Sequence, residues 1–375
     1  MYAQQSLQDT LFLMLYGGVA ILALISGLYL WLRRSNAIEP DVTPPIALRR
    51  WTAAFFIMAA LSHIWWYVLG VYWLTDDRLI RNIVAVTLDH VTLVPLVMAL
   101  LLRLLQDRQR PLWPWFLAQV PIAVAATIGI AGHDEFYGFD LTTYWQRAVM
   151  VIFVVYYIYV LIQYGRWLRE NYADLEHKEV WQSLLFMTAL FVVYEFYFTN
   201  PGEMAREYLA QVETLVIIVF LLWRVETLQE LILEDNLADS SLQDGGNQQN
   251  NAHDLNCDLT SNIALLLKRR CETPQLYLQR DLTLAQLAAA LGTNRTYLGA
   301  YFAQAGITYN AYINDLRITH FEQLYRQAIA AQRPFTAQQL AHECGFKSYS
   351  TFSAAFKKHK GNTVSEWIRK TYIAP

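Results

Sequence analysis

A chain of 375 residues that is 55% hydrophobic and only 16% charged is too poor in charge for a wholly water-soluble fold, where about a quarter of residues are charged. Its length allows two or three domains. The formal net charge of −3 hides a division, because residues before Cys257 carry −10 and those from Cys257 onward carry +7. A basic tail is the electrostatic footprint of a nucleic-acid binder.

Taken in chain order, seven apolar stretches have the length needed to span a bilayer, about 20 residues each. They run Thr10–Leu32, Thr52–Trp73, Ile83–Leu105, Trp113–Ala131, Arg147–Gly165, Val180–Thr199 and Tyr208–Leu231. No positively charged segment precedes the first, so it reads as a span and not as a cleaved signal peptide. Pro95 and Pro121 fall inside two spans, where a membrane helix tolerates them with a kink. Trp51, Trp73, Trp113, Trp115 and Trp145 lie near span ends, as an aromatic belt would.

Basic residues concentrate in alternate loops: Arg33, Arg34, Arg49 and Arg50 in the first, Arg103, Arg108 and Arg110 in the third, Arg166, Arg169 and Lys178 in the fifth. The fourth loop, 133–140, has none, and the sixth has only Arg206. The bias toward basic cytoplasmic loops then predicts a multi-pass protein of a bacterial inner membrane, N-terminus outside and C-terminus in the cytoplasm. After the last span, Leu221, Val225, Leu228 and Ile232 form a short heptad-like seam, read either as a plain helix end or as a contact with a second copy. Residues 234–256, rich in Gly, Asn, Gln and Asp, read as a flexible tether. The expected domains are 1–233, a membrane bundle, and 257–375, a basic helical domain. Cys257, Cys271 and Cys344 have no metal-ligand spacing and read as reduced structural thiols.

The basic domain contains a divergent repeat. Thr283-Leu-Ala-Gln286 and Thr336-Ala-Gln-Gln339 are both capping boxes that start a helix. Gly292 and Gly345 follow, where a turn needs positive φ. Second helices are expected at Arg295–Gln304 and Tyr349–His359, with Leu298/Phe302 and Phe352/Phe356 on one face. Between the pairs, Tyr309–Ala330 reads as one long helix with Ile313, Leu316, Phe321 and Leu324 on its buried side. The core is expected around Leu287, Leu298, Leu340 and Phe352.

These segments resemble the DNA-binding domain of AraC/XylS-type transcription activators. The likeness rests on Leu282–Ala288, Leu291–Leu298, Tyr312–Ile318, Ala341–Phe352, Phe356–Lys358 and Gly361–Thr363. It covers about the last 100 residues, the usual size of one domain. It implies two recognition helices about one turn of DNA apart. The first would offer Asn294, Arg295, Thr296 and Tyr297, and the second Lys347, Ser348, Tyr349, Ser350 and Ser353. Phosphate contacts are expected from Arg295, Lys347, Lys357 and Lys358. Gly299, Ala300 and Ala354 stand where some relatives carry Arg or Gln, and small side chains make no bidentate base contact. Val364 replaces a common proline at the start of the final helix. The joined architecture resembles membrane regulators of Bacteroides-type bacteria.

In the membrane half, His63, Trp66, Asp89, His90, Glu195 and Glu213 are ionisable or polar groups inside apolar spans, which are functional candidates by default. They could line a pocket for a small organic or membrane-borne signal, or pair with one another structurally. No metal or cofactor site is expected, and the only lysine before the tether is Lys178, so a retinal Schiff base has no candidate. GxSxG, HExxH and Gly-rich phosphate loops do not occur. The sequence therefore predicts an all-α protein, a seven-transmembrane-helix bundle followed by a tandem helix-turn-helix domain. It reads as a non-enzymatic, membrane-bound regulator with double-stranded DNA, the lipid bilayer, a signal and, where the seam is a contact, a second copy as partners. Rival readings are a transporter with a regulatory tail and a passive membrane tether.

Overall fold

The computed structural model describes residues 7–40, 42–70, 77–186, 188–189, 203–231 and 262–373. It divides into two compact units, Met1–Tyr164 with Val180–Leu231, and Gly165–Glu179 with Ile232–Pro375. The described residues are overwhelmingly helical, and their only β pairing is an isolated bridge between Tyr172 and Thr283.

The first unit contains α1 (Leu7–Leu32), α2 (Ile46–Gly70), α3 (Arg78–Leu104), α4 (Trp113–Leu117), α5 (Val120–Gly132), most of α6 (Leu141–Asn171) and α7 (Glu203–Thr227). Six segments among the described residues are long and apolar enough to cross a membrane: Asp9–Leu32, Ile46–Val68, Arg78–Leu104, Trp113–Gly132, Phe136–Asn171 and Glu207–Thr227. The expected span at 180–199 falls mostly outside the described residues. Several helices present apolar side chains outward at helical spacing: Ile21, Ile25, Leu28 and Leu32 on α1, Ile152, Val155, Tyr159 and Ile162 on α6, Val212, Val216, Val219 and Trp223 on α7. Faces of this kind suit a hydrocarbon solvent and would be unfavourable in water.

Some close helix contacts use small residues, which let backbones approach. A Cβ on Gly27 of α1 would stand 2.8 Å from Ile57 Cγ1 of α2. Pro95 sits inside a continuous α3. The fourth expected span is present as Trp113–Gly132 but is divided into two helices, because the chain turns at Ala118–Gln119 and Pro121 occupies the first turn of α5, where its missing N–H costs nothing. The fifth is longer than expected, since one π-helical turn at Phe136–Asp140 leads straight into α6.

Of the two readings of the heptad-like seam, the described residues agree with a plain helix end: helix α7 stops at Thr227, and Leu221, Val225 and Leu228 are buried within the first unit, while Ile232 lies outside the described residues. Arg49 explains part of this ending. It is only 2% exposed and pairs with Glu226 at 2.8 Å, while Asn36 accepts from it at 2.9 Å. Glu226 also accepts from the Ala37 and Ile38 amides and the Tyr29 hydroxyl. This arginine, expected in the basic first loop, lies in the first turn of α2 and is an internal staple, tying that loop to the end of α7.

The second unit contains α8 (Leu284–Leu291), α9 (Arg295–Gln304), α10 (Tyr309–Ala330), α11 (Ala337–Glu343), α12 (Tyr349–Lys360) and α13 (Val364–Ile373). Residues 262–267 are helical and run into a π turn at Lys268–Glu272. There are two cores. Leu287, Leu298, Phe302, Tyr309 and Ile313 belong to the first, and Phe321, Leu340, Phe346, Phe352 and Phe356 to the second, so α10 contributes one end to each. The four expected core residues are all buried. Burial pushes the Cys271 thiol up to about 11 and the Cys344 thiol up to about 12, as inert structural thiols require. Cys257 and the expected tether at 234–256 lie outside the described residues.

Candidate nucleic-acid interface

Each helix pair is built from local signals. Thr283 and Gln286 complete a reciprocal capping box at the start of α8, and Thr336 and Gln339 do the same for α11. The α8 helix ends on Gly292 at φ +73°, and Gly345, at φ +84°, follows α11. The chain then re-enters a helix in each pair. Asn294 caps α9 by accepting the Tyr297 amide at 2.8 Å, and Ser348 caps α12 by accepting the Thr351 amide at 3.3 Å. Leu298 and Phe302 anchor α9, and Phe352 and Phe356 anchor α12. Their other faces carry the candidate contacts.

Those candidates divide into groups. Thr296, Tyr297, Ser350, Lys357 and Lys358 are exposed, and Tyr297 retains 57% of its surface. Asn294 and Ser348 use their side-chain oxygens as caps, and the Ser348 hydroxyl also meets that of Ser350 at 2.8 Å. Tyr349 packs on the second core with its ring 5.7 Å from Phe352, and Ser353 is half-buried. Gly299 is half-buried against Leu284, while Ala300 and Ala354 are exposed. Arg295 and Lys347 are both engaged within the unit. Arg295 Nε donates to Asn171 Oδ1 at 2.9 Å, and Lys347 Nζ stands 3.6 Å from Asp281.

Two features had no assigned role in the sequence. Arg317 is 1% exposed and donates from Nε to the Tyr277 carbonyl and from Nη2 to the Gln279 carbonyl, both at 2.7 Å, while its guanidinium lies over the Phe346 ring at 5.5 Å. It joins the two helix pairs through one turn. At the start of α13, Thr363 and Glu366 exchange hydrogen bonds at 3.0 and 3.3 Å, a third capping box. This cap starts the helix at Val364 without the proline. The backbone and side-chain bonds from Thr363 hold the Glu366 carboxyl below its usual range.

In the first unit, part of the expected polar cluster comes together. Asp89 accepts from Ser62 at 2.6 Å and from Trp66 Nε1 at 2.7 Å. His63 contacts the Ala59 carbonyl at 2.8 Å and Gln211 at 3.0 Å, and Tyr16 donates to the His63 carbonyl at 2.6 Å. Four helices therefore meet through polar groups that hydrogen-bond to one another. His90 is buried but lies one residue on from Asp89, about 100° around the helix. Glu213 likewise lies two residues beyond Gln211, on another face. Glu195 is outside the described residues.

Residues 287–370 match the family described as helix-turn-helix domain. The HTH-type transcriptional activator RhaR of Salmonella heidelberg (strain SL476) is 32% identical over 65 residues, 17% of this chain and 21% of that protein. The proteins of the same description from Salmonella typhi and Salmonella arizonae are similar to the same extent. The chain thus spans about a fifth of the length of these curated relatives. No solved structure matches it. With two capped helix pairs joined by α10, residues 287–370 form an AraC-type helix-turn-helix domain.

Proposed function

We propose that this protein is a membrane-anchored, one-component transcription regulator that binds double-stranded DNA through α9 and α12. The observation that carries the reading is that one chain holds both a tandem helix-turn-helix domain and, among the described residues, six segments of membrane-spanning length, several with apolar outer faces. The +7 charge of the C-terminal part supports a polyanionic partner, and the likeness to transcriptional activators supports a regulatory one. We further place the chain in a bacterial inner membrane with seven crossings, N-terminus outside and C-terminal domain in the cytoplasm. A signal reaching the bundle acts by favouring one of two states that present the DNA-binding domain differently.

Selection of duplexes from a genomic library by the full-length chain in lipid nanodiscs tests the DNA reading. Binding should weaken steeply with salt, and replacing Lys357 and Lys358 together with Ala should lower affinity across sequences and reduce the log–log salt slope by about 2. Absent or salt-insensitive binding would overturn it.

A further inference from the structure

The segment Gly165–Glu179, the last turns of α6 and the loop after it, belongs to the same compact unit as the helix-turn-helix domain. It is docked by backbone, apolar and charged contacts together. The Ala173 amide donates to the Leu282 carbonyl at 3.4 Å, and Asn310 donates to the Tyr172 and Ala173 carbonyls at 3.2 and 2.6 Å. Ala173 is 1% exposed and is a member of the first core. Lys178 is buried and pairs with Asp281 at 3.2 Å, so Asp281 stands between Lys178 and Lys347. Burial works against the Asp281 carboxylate, but these two ammonium groups hold its pKa below the usual range.

The segment also reaches both recognition helices at their first turns. Asn171 holds Arg295, the first residue of α9, and Glu176 accepts from the Thr351 hydroxyl of α12 at 3.3 Å. The first turn of a helix is where DNA phosphates and base edges are met. The segment carries Glu170, Asp174, Glu176 and Glu179. A Glu176 carboxylate at the start of α12 makes the type of contact a phosphate oxygen would make, with a favourable helix dipole.

We propose that residues 171–176 are an autoinhibitory clamp that occupies the DNA-facing first turns of both recognition helices and must leave before DNA binds. The proposal rests on the DNA-binding reading above. The clamp continues covalently from α6, so a change in the bundle has a direct mechanical route to it. Release converts the domain to its binding-competent form, and apparent affinity scales with the released fraction.

The test uses the full-length chain in nanodiscs and the duplexes it selects from a random library. Asn171→Ala/Glu176→Gln should bind those duplexes about tenfold more tightly than wild type, and the isosteric Glu176→Gln alone should shift affinity in the same direction. In a Cys257→Ser background, a bismaleimide bridge between Glu176→Cys and Thr351→Cys should abolish binding. Equal or weaker binding by the released variants, or wild-type binding by the bridged chain, overturns the clamp and leaves the DNA reading standing. Failure of every variant to select any duplex overturns both.

Discussion

Gly345 is where a single hydrogen atom decides the geometry. Its φ of +84° belongs to the left-handed region, and a Cβ there would run into the Leu278 carbonyl oxygen. The same turn, Tyr277 to Gln279, is gripped from the other side by Arg317. Gly345→Ala should therefore destabilise the C-terminal unit by about 2–3 kcal/mol, strain and overlap together. Gly361, also at positive φ but with nothing within 4 Å, should cost only about 1 kcal/mol on the same substitution. Hydrogen exchange of the α12 amides ranks the two, and a larger loss for Gly361→Ala would contradict this account. The glycine was legible in the sequence because a helix stop writes a local signal. Arg317 was not: on a basic domain an arginine reads as surface charge, and only the fold brings two backbone carbonyls to it.

At the scale of the element, the helix starts were the most readable part of the chain. Thr-x-x-Gln at 283 and 336 is a complete instruction within four residues, and both boxes close. Replacing Thr336 with Ala should cost about 1 kcal/mol and accelerate exchange of the first-turn amides of α11; unchanged exchange there would show the box to be dispensable. The recognition helices were harder to read. Asn294 and Ser348 are the residue types that touch DNA and also those that cap helices, and a linear pattern does not separate the two uses. The break between α4 and α5 was foreshadowed by Pro121 but not located, because a proline in a helix's first turn and one inside a helix look alike in sequence. The seam on α7 left two readings open for a related reason: Leu221, Val225 and Leu228 announce a buried face without saying what buries it.

For the whole molecule, the apolar bundle and basic domain were evident from composition, whereas the docking of residues 171–176 was not. Its partners lie more than a hundred positions away in the chain, and its polar contacts follow no period. The proposed topology rests on the loop arginines and is directly measurable. Reporter fusions truncated after Asp107, after His177 and at Pro375 should all report the cytoplasm, and one truncated after Asp134 the opposite side. A fusion after His177 on the other side from Pro375 would refute the proposed arrangement. The contact of Asn171 with Arg295 bears on the same question by parity. Two groups within hydrogen-bonding distance share one side of a bilayer, so the chain between them crosses an even number of times. In the proposed arrangement helix α7 is one such crossing, so a single hydrogen bond of 2.9 Å then requires one more between the two groups, and the apolar sequence at 180–199, mostly outside the described residues, is the candidate for it.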